Sequence, residues 1–358
     1  MDKSWNVSIV YILCYLSIIF FMYPANIISS VPNNNYLIAI LLQVTIHVGM
    51  LYTFLIGLNY FPGQDLISIS QSNKWMKILF LLPIFVYLIM TYIISIMLYA
   101  QIITIIFLDK TPMFAVIILI VCTSSYLAAL GIKTIFRTSI VVAILFVPII
   151  LLTLILTYEN MDIHNVYPII SKDFSFFMKK EYLNSFFAIS GSFLFIGFIN
   201  PSINFNKKKL LYNILIITPF YILAIYIPIL FLGHNTAKLL VYPFVISLDT
   251  LDISWSMFER ITIFFSLSLL TFNIIFIGLT LWQIITISQH YAKKINKYIL
   301  IFFFSLLGVC SYILVPNWKR IQLFFNIDTG LRMYIIFVIP LILYFMGRIT
   351  KKKKDGLV

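Results

Sequence analysis

The stretch Ile140–Leu156 runs for 17 residues without a charged or amide side chain. A bilayer's hydrocarbon core is spanned by about 20 apolar residues in a helix. Inside it every backbone N–H and C=O must pair within a helix or a closed barrel. Barrel strands alternate apolar and polar residues over about ten positions, and this run does not alternate. The chain therefore reads as an all-α integral membrane protein. Its composition agrees: 62% hydrophobic and 10% charged residues with a mean hydropathy of +1.03, where soluble domains carry roughly 25% charged residues.

Ten transmembrane helices are predicted, at roughly 7–30, 36–58, 78–107, 112–131, 137–158, 183–200, 209–232, 258–288, 298–316 and 330–347. The first stretch is too long for a cleavable signal and has no small-residue cleavage pattern, so it is expected to remain as a span. Basic residues gather in cytoplasmic loops. With the N-terminus inside, the inner segments hold 16 of the 25 Lys and Arg residues and three acids, Asp2, Asp65 and Asp355, so the whole net charge of +13 (16 − 3) lies there. Both termini are expected to be cytoplasmic. This bias accounts for the basic excess without any nucleic acid partner. Cys14, Cys122 and Cys310 fall inside predicted spans without metal-ligand spacing and read as buried packing residues.

No extramembrane domain interrupts the spans, so 1–358 is one membrane domain. Ten divides into two halves of five, about 1–160 and 161–358, the second half carrying the basic tail. Because five is odd, any structural repeat is inverted, the architecture in which discontinuous helices meet at the midplane and form a substrate site. Spans one and six are the expected broken helices. Span one carries Ser17 and, further on, Tyr23-Pro24-Ala25-Asn26. Span six carries Ser190-Gly191-Ser192, then Gly197 and Asn200-Pro201. Such residues also serve simply for close packing and kinks.

Span three sets Thr91, Ser95 and Tyr99 on one helical face at i, i+4 and i+8, with Tyr92 adjoining, and span eight offers Ser266, Ser268, Thr271 and Asn273. A pocket of hydroxyls and amides suits a small zwitterion or neutral solute, although each residue also fits an interhelical hydrogen bond. His47 in span two needs a buried partner. No Asp or Glu falls in the centre of a predicted span, which weighs against proton relays through carboxylates. The chain has no HExxH, no Walker motif and no nucleophile–base cluster, so it reads as no enzyme, and nothing calls for a cofactor.

The segment Thr111-Pro112, then Tyr126-Leu127-Ala128-Ala129-Leu130-Gly131-Ile132 and Arg137, resembles the pattern of spans four and five in spore germination receptor B subunits. Pro62, Tyr242-Pro243, Phe258-Glu259-Arg260 and Trp282 extend the likeness along the chain. The resemblance implies a member of the amino acid-polyamine-organocation transporter superfamily in the inner membrane of the spore, beside an A subunit and a lipoprotein C subunit. By that analogy a small nutrient, an amino acid or nucleoside, binds between spans one, three, six and eight and triggers germination. The expected contacts are Ser17, Ser190, Gly191 and Ser192 at the breaks, Tyr92, Ser95 and Tyr99 as the facing wall, and Thr271 and Asn273 from span eight. The chain departs from superfamily permeases in having Ser17-Ile18-Ile19 where they carry glycine, and Ser190-Gly191-Ser192 where relatives often carry an acid. Two other functions fit the same features: an amino acid permease, or an anchor or water- or ion-conducting subunit with no ligand site of its own.

Overall fold

The computed structural model describes residues 4–32, 35–71, 76–106, 110–167, 173–190, 192–199, 205–250, 261–314 and 318–354. Its helices are α1 Ser4–Ile19, α2 Met22–Ser30, α3 Tyr36–Asn59, α4 Leu66–Ser70, α5 Leu82–Ile106, α6 Met113–Leu130, α7 Ile132–Leu156, α8 Lys180–Ser185, α9 Phe187–Ser190, α10 Phe195–Ile199, α11 Lys207–Leu239, α12 Pro243–Asp249, α13 Ile261–Tyr291, α14 Lys297–Leu314, α15 Trp318–Met333 and α16 Ile339–Lys354. Eight helical stretches are long and apolar enough to cross a bilayer, and the bent pair α1–α2 makes a ninth. The shorter apolar helix Lys297–Ile313 occupies the place expected for a span between the eighth and the last. Every predicted span thus has a helical counterpart.

The first span lies at the centre, with α1 packed on α7, α11 and α13, while α3 packs along α16 near the periphery. Apolar side chains are distributed accordingly. Tyr11, Tyr15 and Ile19 of α1 are fully buried, whereas Ile144 of α7 is 70% exposed, as a bilayer-facing residue is. Cys14 is buried, but Cys122 and Cys310 are exposed on the outside of the bundle, which corrects the expectation that all three pack internally. They sit on the outward faces of α6 and α14, and a lipid-facing thiol is a small apolar group like its neighbours.

Gly131 ends α6 and begins α7 with φ 86° and ψ 174°. Side chains other than hydrogen are almost never found there, which accounts for the glycine after Tyr126-Leu127-Ala128-Ala129-Leu130. Space around its Cα is open. Gly131→Ala should therefore cost about 1–3 kcal/mol through backbone strain alone. Thermal unfolding in detergent micelles checks this, and an unchanged midpoint would show that the corner relaxes freely.

The last span differs most from its prediction. Instead of starting near 330, helix runs from Trp318 through a π-helical turn, Tyr334–Val338, into α16. Arg320, Asn326, Asp328 and Arg332 lower the hydropathy of α15, so its first turns read as loop. The fold buries Asp328 and Arg332 against each other, Nη2 to Oδ2 at 2.6 Å, with both side chains fully buried. Asp328 lies just before the predicted start at 330, so the expectation that no acid occupies the centre of a span does not reach it; the earlier helix start brings it into the apolar stretch Arg320–Lys351.

Candidate functional site

Pro24 fixes where the first span breaks. A proline has no N–H for the carbonyl four residues back, and its ring collides with that carbonyl. Four back from Pro24 is Phe20, and the helix stops there: α1 ends at Ile19, Phe21 leaves helical geometry at φ −104° and ψ −83°, and α2 departs at 55° to α1. Pro24 itself falls in the first turn of α2, where an absent N–H costs nothing. The sequence placed proline's disturbance at residues 23–26 and the ligand contact at Ser17. The true gap, Phe20–Phe21, lies between them.

Span six is interrupted twice. A turn at Phe186 separates α8 from α9, and α9 stops at Ser190 before α10 resumes at Phe195. Gly191 lies outside the described residues.

The last turn of a helix has carbonyls without intrahelical donors, and in a bilayer no water stands by to replace them. Tyrosines replace them here. Tyr15 of α1 donates its hydroxyl to the carbonyl of Ile189 at 2.7 Å, and Tyr221 of α11 to that of Ala188 at 2.8 Å. Tyr87 of α5 donates to Ser190 Oγ at 2.8 Å. At the other break the Tyr99 hydroxyl donates to the carbonyl of Ser17. Four tyrosines from three spans thus serve the two half-helix ends. Of these only Tyr99 was singled out from the sequence, because among 22 tyrosines nothing in the local pattern distinguishes Tyr15, Tyr87 and Tyr221.

The other nominated residues divide. Ser190 and Ser192 are buried at the sixth-span break, and Ser17 is buried beside the first, its Oγ donating to Cys14 O at 2.7 Å. Asn273 reaches across from α13 with a long hydrogen bond, 3.5 Å, from Nδ2 to the carbonyl of Ser95. These two bring spans eight and three together. Thr271 donates within its own helix to Ser268 O at 2.7 Å. Tyr92 turns toward α14, where a Cβ on Gly308 would meet its hydroxyl at 2.7 Å, and is therefore separated from Tyr99. His47 pairs through Nε2 with the Tyr11 hydroxyl at 2.6 Å, and its ring lies 4.7 Å from that of Tyr15.

Aromatic rings close the first break. Phe20 packs on Phe244 and Phe265 with centroids 4.7 and 5.2 Å away, and Phe21 meets Tyr99 edge-on at 4.7 Å. Beside span six, Arg332 donates Nη1 to the carbonyl of Asn184 at 2.9 Å, the carbonyl freed by the turn at Phe186. Thr329 holds the Asn184 side chain, whose Nδ2 donates to Asn326 Oδ1 at 2.7 Å. The two broken spans are thus held shut by polar donors from spans one, three, seven and ten.

Among solved structures, 34 chains match this one. One is the crystal structure of MhsT in complex with L-phenylalanine, at a TM-score of 0.56 and 14% identity over 92% of this chain and 87% of that one. The fold is therefore that of the membrane transporters built as a five-plus-five inverted repeat, with discontinuous first and sixth helices. The chain belongs to the spore germination protein family, whose model (Spore_permease) matches residues 4–317. It is a multi-pass membrane protein with a germination-related, permease-like role. No curated protein matches it.

Proposed function

We propose that this chain is the membrane subunit of a nutrient germinant receptor, binding a small nutrient at the two helix breaks. The observation that carries the reading is the quartet Tyr15, Tyr87, Tyr99 and Tyr221 on the buried ends of α1 and α9, three of them on main-chain carbonyls and Tyr87 on Ser190 Oγ. A hydroxyl donor on a half-helix carbonyl is a replaceable donor. An ammonium, amine or ligand hydroxyl can take over the same carbonyls, which also sit at the negative ends of helix dipoles. The first turn of α2 offers N–H groups of the opposite sense to a carboxylate. An amino acid has both groups, and a nucleoside supplies N–H and O–H donors. Ser17, Ser190, Gly191 and Ser192 are the nearest contacts in this reading, with Ser95, Tyr99 and Asn273 opposite and Tyr92 and Thr271 behind them. The aromatic rings at Phe20 and Phe21 favour an apolar or aromatic ligand body.

Binding would exchange tyrosine–carbonyl bonds for ligand–carbonyl bonds and so shift the bundle between two arrangements. An A subunit and a lipoprotein C subunit would sense the change in the inner membrane of the spore, with both termini of this chain cytoplasmic and the repeats at 1–160 and 161–358. The transporter fold favours a second reading, an amino acid permease.

Spores carrying Ser190→Ala should keep normal membrane abundance and need roughly 3- to 10-fold more nutrient for half-maximal germination, the value of one hydrogen bond. The purified chain in nanodiscs should be stabilised saturably by one member of a panel of amino acids and nucleosides. An unchanged dose–response together with no stabilising compound would sink the receptor reading. Saturable uptake into proteoliposomes by this chain alone would transfer the site to a permease.

A further inference from the structure

A cavity of about 390 Å³ lies on the flank of the bundle, away from the helix breaks, between the start of span three and the end of span eight. Its apolar floor includes Leu82, Phe85 and Ile287, and its rim carries Lys77, Ser288 and Tyr291. Two irregularities of the backbone lie at this end of span three. The third span begins as a π-helical turn, Lys77–Leu81, which widens the helix. Pro83 cannot donate back to Leu79, whose carbonyl accepts the Tyr334 hydroxyl at 2.6 Å instead. Gln71 Nε2 and His290 Nε2, 2.7 Å apart, tie the preceding segment to α13 beside Tyr291.

The polarity of the groove runs one way along its length. Its cationic and hydroxyl groups lie at one end, where span three starts and span eight finishes, and aliphatic and aromatic side chains continue from there into the spans. Leu82 and Tyr291 are each more than half exposed. Lys293 and Lys294, both exposed, follow Tyr291 after one intervening residue, Ala292. A lysine on a long stem at the edge of an apolar groove lifts its ammonium to headgroup level, and basic pockets between transmembrane helices take anionic lipid headgroups. A soluble anion would use the lysine and leave the floor uncovered. A zwitterionic lipid would use the floor and bring no net charge to the cluster.

We infer that this groove is a binding site for one anionic glycerophospholipid, its phosphate at Lys77, Ser288 and Tyr291 and an acyl chain along Leu82, Phe85 and Ile287. The site is independent of the nutrient site: no residue is shared between them. A bound lipid would bridge span three, which carries Tyr87 and Tyr99, to span eight, which carries Asn273.

The test uses the purified full chain in detergent, titrated with dioleoyl-phosphatidylglycerol, dioleoyl-phosphatidylcholine or sn-glycerol 3-phosphate. Thermal unfolding and native mass spectrometry provide the readouts. Phosphatidylglycerol should raise the unfolding midpoint and survive as a one-to-one adduct, while the other two should not. Lys77→Gln, at the rim, should weaken the phosphatidylglycerol effect about fivefold, the worth of one interfacial lysine. Leu82→Trp, which fills the floor from an exposed position, should abolish the adduct while leaving the lipid-free midpoint near that of the parent. Equal stabilisation by phosphatidylcholine, insensitive to Lys77→Gln, would overturn the proposal in favour of general annular contact. Saturation by glycerol phosphate alone would overturn it in favour of a soluble anion.

Discussion

Arg332→Met is expected to lose about 3–5 kcal/mol of stability, the usual result of leaving one member of a buried ion pair alone. Asp328 has no exposed side-chain surface, and its Oδ2 depends on Arg332 Nη2 at 2.6 Å. The same guanidinium caps Asn184 O and lies over the rings of Phe187 and Phe325, at 5.0 and 4.4 Å. Against a total of about 5–15 kcal/mol for a typical domain, the loss is large. The double variant Asp328→Leu/Arg332→Met keeps the volume and removes both charges. It should recover most of the loss, since apolar replacements of a buried pair are often neutral or better. It should not recover the cap on Asn184, so hydrogen exchange across residues 180–190 should remain faster than in the parent. Folded yield, thermal unfolding and exchange together decide the matter. If single and double variants fall equally, charge pairing is not what the site supplies, and the Asn184 cap is.

That pair also shows where a sequence reading runs out. Span count followed from apolar runs, because a 20-residue window averages over detail and most spans are apolar throughout. The same averaging failed on α15, where Arg320, Asp328 and Arg332 each count as a cost, although Asp328 and Arg332 are one turn apart on the same helix and neutralise one another. The spacing i, i+4 was visible. Missing was any sign that Asn184, 148 residues before Arg332, would offer a bare carbonyl there. Cys122 and Cys310 failed for a related reason: hydropathy places a residue in a span but not on its inner or outer face.

The breaks were legible in kind and displaced in position. Pro24 and the Ser190-Gly191-Ser192 run marked the correct spans. The first gap, however, opens at the residue whose carbonyl the proline strands, four positions earlier. Tyr92 and Tyr99 sit seven residues apart, nearly two turns, yet one faces α14 and the other the break. A helical-face argument assigns them together, and only the neighbours of each ring separate them. Tyr15, Tyr87 and Tyr221 carried no local signal, because what they cap is created by a helix end elsewhere in the chain.

Removing those caps gives the second large effect. Tyr15→Phe and Tyr221→Phe each keep the ring and delete the one hydroxyl that reaches Ile189 or Ala188. A buried carbonyl left without a donor costs about 1–3 kcal/mol. The two carbonyls are consecutive on α9, so the double variant should lose less than the sum if one freed carbonyl is relieved when α9 shifts toward a remaining donor. Tyr87→Phe should cost least, because Ser190 Oγ loses only a bond it accepts and keeps its own donation to Phe187 O at 3.5 Å. Unfolding midpoints of the three single variants and the double variant, measured with the same membrane preparations, give the order. Equal midpoints for all four and the parent would mean that water already reaches the ends of α9, and the break would then be a hydrated vestibule in place of a sealed joint. The predicted order, with the loss confined to Tyr15 and Tyr221, would make the tyrosine hydroxyls the groups that an incoming ligand must displace.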